Sequence, residues 1–286
     1  MRRALVRPPR TRAVEEAAVR ALSALRLSVG AAGGLLVLGL AGAGCVADGE
    51  PVLVLDPDGD LAQPAAALAD LDGRGGPYSG DGDGDGLVAC PPEMIAVPGA
   101  CPCACMDRYE APNIKGAKPL AMQTALEGEA FCAARGKRLC TEAEWVRACQ
   151  GRRGQPFPYG PTYRRGVCSD DKTWISPSWT VLATWPSAAA MAEAARLYQA
   201  DPSGSRSGCT SEEGASDLTG NVAEWVRRSF PNRTNYDHVM KGCYWAGCYG
   251  GSPPSCGFTN PAHPGGFRTY EAGFRCCLDR GARPSG

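Results

Sequence analysis

Asp217-Leu218-Thr219-Gly220-Asn221-Val222-Ala223-Glu224-Trp225 is the stretch on which the fold reading turns. A turn-forming Asp-Leu-Thr-Gly-Asn runs straight into a short apolar piece. The same grammar recurs on both sides of it, with short apolar runs set between Gly, Pro, Asn and Asp. That pattern predicts short strands and long loops. Upstream, Thr141-Glu142-Ala143-Glu144 is a capping box, so a helix should run from there to about Cys149 and stop at Gly151. Ala121 to Arg135 reads as another helix, with Gly136 placed to end it. Ala188 to Gln199 is a third, with Ser187 as its N-cap. The fold class is therefore α+β, low in regular structure.

Composition narrows the function classes. The chain has 286 residues, 37 Gly, 24 Pro and 15 Cys, with zero formal net charge. Aromatic residues cluster after residue 107, and all six Trp lie between Trp145 and Trp245. A core in that region is feasible, and the six are read mainly as core. Trp245, beside the Gly-rich 246–251 run, is a candidate for lining a shallow groove. Zero net charge argues against nucleic acid as a partner. His238 and His263 are the only histidines, which excludes a three-imidazole site. Neither has a Ser/Asp or Cys/His pattern beside it. No CxxC pair has a matching downstream CxxC, so the cysteines read as disulfides formed in an oxidising compartment.

The neutral total hides three zones. Residues 1–44 carry seven Arg against Glu15 and Glu16, and end in an apolar run, Leu27 to Gly44. Ala41-Gly42-Ala43-Gly44 then precedes Cys45. This is the form of an export segment, and its end resembles a bacterial lipobox whose cysteine is acylated. Gly42 stands where a lipobox usually has Leu. Ordinary secretion and a retained anchor stay open beside lipidation at Cys45. Without Cys45, fourteen cysteines remain, an even number. Residues 45–89 carry nine Asp and Glu50 against Arg74, a solvated tether unable to bury a core. Asp81, Asp83, Asp85 and Gly86 imitate a calcium loop, but the twelfth position is Pro92 and not Glu. The folded domain spans 90–281, and 282–286 form a tail. The expected location is the bacterial cell envelope, lipid-anchored and facing the periplasm or the cell surface.

Further motifs complete the series. They are Met106-Asp107-Arg108-Tyr109-Glu110, Phe131 to Leu139 with its Gly136-Lys137-Arg138-Leu139 end, Thr141 to Trp145, Phe157-Pro158-Tyr159-Gly160, Lys241-Gly242 and Gly273-Phe274-Arg275-Cys276. In order and spacing they resemble the formylglycine-generating enzyme, or sulfatase-modifying-factor, family. The resemblance covers about residues 90–279. It implies a variant of the C-type-lectin-like fold.

Active members of that family oxidise a sulfatase cysteine to formylglycine with oxygen and a copper ion held by two cysteines, and paired thiolates suit Cu(I). With Gly242 and Trp245 holding the register, those cysteines fall on Gly247 and Ser252. Cys243 and Cys248 have the C-x4-C spacing but are displaced; they read as a structural disulfide, or as a shifted copper pair. The resemblance further implies calcium at the Asp217 and Glu224 carboxylates and the Gly220 and Val222 carbonyls, hard oxygen donors on one turn. It implies disulfides Cys132–Cys276 and Cys149–Cys256. Our own additions are Cys168–Cys209 and Cys140–Cys277, with Cys90, Cys101, Cys103 and Cys105 pairing among themselves. The expected function is a diverged, non-catalytic, membrane-anchored protein that binds a peptide, glycan or protein partner. A copper- and oxygen-dependent oxidase and a structural envelope lipoprotein are the alternatives.

Overall fold

The computed structural model describes residues 89–97, 99 and 104–280. The export segment, Cys45, the acidic linker, Cys101, Cys103 and the tail lie outside the described residues.

Local signals set the helices. Helix α1 (Ala125–Ala133) starts at Thr124, whose Oγ1 accepts from the Glu127 N–H while the Glu127 carboxylate accepts from the Thr124 N–H. It is shorter than the expected 121–135 because Met122 sits at φ 60°, which no helix can contain. Helix α2 (Glu142–Gln150) starts at the expected capping box on Thr141 and Glu144. A single turn, α3 (Trp179–Leu182), precedes α4 (Ala188–Leu197), which Ser187 caps through the Ala190 N–H.

The strands are β1 (Met94–Val97), β2 (Ala104–Asp107), β3 (Arg138–Leu139), β4 (Ala223–Arg227), β5 (His238–Lys241), β6 (Thr259–Asn260), β7 (Ala272–Phe274) and β8 (Cys276–Asp279). One sheet has the order β1-β2-β8-β3 and is antiparallel throughout. The other has the order β6-β5-β4-β7, with β4 and β7 parallel. Only Arg275 separates β7 from β8, so the chain changes sheets across that one residue.

Strand β4 divides the interior, because successive side chains of a strand point to opposite faces. Trp225 joins a cluster with Trp245, Tyr270 and Phe274. Val226 joins a second cluster with Trp145, Val239 and Met106. The adjacent Cys276 and Cys277 repeat the division: Cys276 bonds Cys132 in the first cluster, and Cys277 bonds Cys140 in the second. Four further bridges are Cys90–Cys105, Cys149–Cys256, Cys168–Cys209 and Cys243–Cys248. The C-type-lectin-like expectation is corrected by this framework. It is a disulfide-rich, low-helical one, in which strands of two to five residues are held by covalent bridges more than by long ladders.

Candidate functional site

Three of the sequence motifs meet at Glu224. Its Oε2 accepts from the Trp145 indole at 2.9 Å and from Arg275 Nε at 2.7 Å, and its Oε1 accepts from Arg275 Nη2 at 2.6 Å. The remaining Arg275 donors reach the carbonyls of Asp107, Arg108 and Ser216. Such a bidentate pair suits a fully buried guanidinium, because every donor finds an acceptor. Asn221, one turn earlier, clamps the surrounding loops. Its amide donates to Glu110 Oε1 at 2.7 Å, and its side-chain oxygen accepts from the Asp201 N–H at 2.8 Å. Gly220 is required by close approach, since a Cβ there would lie 2.4 Å from the Ser169 carbonyl oxygen.

The two carboxylates of the expected calcium set, Asp217 and Glu224, are both engaged within the protein. Both Glu224 oxygens accept from Arg275, and Oε2 also from Trp145. Asp217 is also engaged, with Oδ2 accepting from the Gly204 N–H at 2.6 Å. No group of three or more metal-ligating side chains is found among the described residues. Burial pushes the Asp217 carboxyl up to about 6, and the Glu224 and Asp201 charges add to the rise. Burial, with the Asp217 charge behind it, holds Glu110 well above the usual carboxylate range. Three buried carboxylates thus face a single guanidinium.

The second focus is the hairpin that carries the displaced cysteines. Cys243 and Cys248 are bonded to each other, so in this state their sulfurs offer no thiolate to copper. The hairpin is closed by Tyr244 and Gly247, with the Gly247 N–H donating to the Tyr244 carbonyl at 2.8 Å. Gly247 sits at φ 91°, a conformation strained for cysteine or any other residue with a Cβ. Ser252 is exposed. The two register positions therefore hold a turn glycine and a surface serine. The recess beside the disulfide is about 10 Å³, room for one water at most.

An aromatic strip leads away from this hairpin. Tyr249 packs on Tyr244, Tyr244 on Tyr270, and Tyr270 on Trp179, with ring centroids 5.7, 6.2 and 5.9 Å apart. Buried Glu271 anchors it, accepting from the Tyr249 hydroxyl and the Thr269 hydroxyl, each at 2.6 Å. Burial raises the Glu271 carboxyl, and burial together with the Glu271 charge raises the Tyr249 phenol. Sequence reasoning missed Tyr270, Glu271 and Trp179. Their only signal was position: Tyr270 and Glu271 lie just before the Gly-Phe-Arg motif, separated from it by Ala272. The six Trp divide. Trp145, Trp225 and Trp245 are fully buried, Trp185 is half-buried, and Trp174 and Trp179 are 55% and 53% exposed. Trp245, the groove candidate, is thus core. The histidines lie apart from both foci: His238 faces Glu129 at 3.1 Å, and His263 stacks on Phe267.

Residues 95–280 match a family model described as a sulfatase-modifying factor enzyme 1-like domain. This match completes the correction of the fold expectation: the fold is that of the sulfatase-modifying-factor domain and not a C-type-lectin-like one. Among solved structures, the chain is similar to CarF at 14% identity, covering 62% of this chain and 86% of that one, with a TM-score of 0.42. It is similar to PvdO from Pseudomonas aeruginosa at 16% identity, covering 62% and 80%, with a TM-score of 0.41. It is similar to Treponema denticola variable protein 1 at 17% identity, covering 62% and 84%, with a TM-score of 0.34.

Proposed function

We propose that this chain, which belongs to the family of sulfatase-modifying factor enzyme 1-like domains, binds a ligand and does not oxidise one. The observation that carries the reading is the Cys243–Cys248 bond, together with Gly247 and Ser252 at the positions where the register would put copper thiolates. The turn at Gly247 opposes a cysteine there, and the recess beside the disulfide has no room for a peptide side chain. The motifs that build the interior remain, and the aromatic strip keeps its two end rings, Tyr249 and Trp179, exposed to solvent. The ligand class is a peptide, a glycan or a protein partner. The test is turnover of a sulfatase-derived cysteine peptide with Cu(I) and oxygen, and the expected result is no formylglycine. Turnover lost on Cys243→Ser would overturn this reading in favour of an oxidase with a relocated pair, which draws its support from the C-x4-C spacing.

The same proposal places the protein in the envelope of a bacterium. The disulfides support an oxidising compartment. The small-residue run ending at Cys45 supports a lipid anchor there. Expressed in a bacterial host, the full chain is expected to incorporate labelled palmitate, and Cys45→Ala to abolish the label. Equal labelling of the two would remove the anchor from the proposal.

A further inference from the structure

Beyond the aromatic strip the surface opens into a cavity of about 590 Å³, lined by Trp179, Leu182, Trp185, Phe267, Arg268 and Glu127 among others. That volume is in the range of small-ligand sites, and its make-up is theirs: apolar walls with a few placed polar groups. The polar groups are fixed. Arg268 donates to the Met122 carbonyl and pairs with Glu127, and its guanidinium lies over the Trp185 ring, 5.4 Å from the centroid. Glu127 is held in turn by the Thr124 capping box. The chemistry on offer is a donor and an acceptor side by side, at the face of the Trp185 indole.

We infer that this cavity binds a neutral pyranose glycan; the inference rests on the binding reading above and gives its ligand class. Three features select that ligand. Arg268 and Glu127 neutralise each other, so neither an anion nor a cation finds an uncompensated partner. A hydroxyl both donates and accepts, so neighbouring hydroxyls on a ring are matched by a guanidinium and a carboxylate placed together. A pyranose whose substituents are all equatorial has flat faces of C–H bonds, whose positive edges suit the negative face of the exposed Trp179. A peptide would need a row of backbone partners, and the polar lining is confined to one ion pair.

The probes are cellohexaose and chitohexaose, titrated into the full chain and followed by calorimetry and tryptophan fluorescence. Saturable binding of at least one is expected, and Trp179→Ala should weaken it by about tenfold. Trp179 is half exposed, so its loss should leave the fold intact, which an unchanged melting temperature verifies. Ile114→Ser, at an exposed apolar residue outside the cavity lining, should bind as the parent does. No binding of either sugar, equal binding by Trp179→Ala, or displacement of the sugar by a proline-rich peptide would each overturn the inference. Formylglycine turnover alongside Trp179-dependent sugar binding would sink the proposed function and leave the cavity assignment standing.

Discussion

Asp217 concentrates the cost of the interior in one side chain. It sits at φ 61°, where Asn and Asp are among the few residues tolerated. Its carboxyl titrates at about 6 in the folded chain, against 3.8 for an unperturbed Asp. Between those values the folded chain keeps a proton that the unfolded chain has released. Stability therefore falls as pH rises through that window. Glu110, also raised, acts in the same direction. Asp217→Asn keeps an acceptor for the Gly204 N–H and a residue suited to the backbone, while removing the charge. It is expected to flatten the stability profile between about pH 4 and about pH 7, and to add on the order of 1–2 kcal/mol at the upper end. Thermal melts at the two pH values check this. A variant that melts lower than its parent at neutral pH, with a parent that calcium stabilises, would instead make Asp217 a cation ligand.

Among the elements, legibility followed range in sequence. The start of α2 was readable because a capping box needs only Thr141 and Glu144. The start of α1 followed the same rule at Thr124 and Glu127, but the good helix formers upstream masked it; the left-handed Met122 sets the boundary. Strands β3 and β6 have two residues each and no periodicity to read. The site divides in the same way. Trp145, Glu224 and Arg275 could be picked out as motif residues, yet Trp145 and Arg275 lie 79 and 51 positions from Glu224, and nothing local announces that they share its carboxylate. The shared carboxylate also belongs to the expected calcium set, and the sequence does not announce that Arg275 pairs with it. The aromatic strip was the least legible feature. Tyr270, Trp179 and Tyr249 meet only after three loops have been folded together, and none of the three belongs to a repeating pattern.

At the level of the whole domain, the question is what makes two small cores unfold as one. Both contain residues of β4, both border Arg275, and both are sewn to β8 by consecutive cysteines. Those joints are not equivalent. In the chain-entropy account, a crosslink stabilises in proportion to the logarithm of the loop it closes. Cys132–Cys276 spans 144 positions and Cys243–Cys248 spans five. With Cys140–Cys277 still in place, however, Cys132–Cys276 closes a loop of only about nine positions, so each bridge should be worth about 2–3 kcal/mol of chain entropy. A folded domain has only about 5–15 kcal/mol of net stability, so on chain entropy alone the loss of either bridge is survivable. Cys132 and Cys276 are also fully buried, so their replacement by Ala adds a packing loss to the entropic one. The double variant Cys243→Ala, Cys248→Ala is expected to keep a single cooperative denaturant transition at a modestly lower midpoint. The double variant Cys132→Ala, Cys276→Ala is expected to shift the midpoint further down, by the packing loss at two fully buried positions. Urea unfolding followed by tryptophan fluorescence distinguishes them, because Trp145 and Trp225 report on the two clusters. Equal losses from the two double variants would show that the hairpin bridge does more than close a turn, and the case for a role of Cys243 and Cys248 in chemistry would reopen.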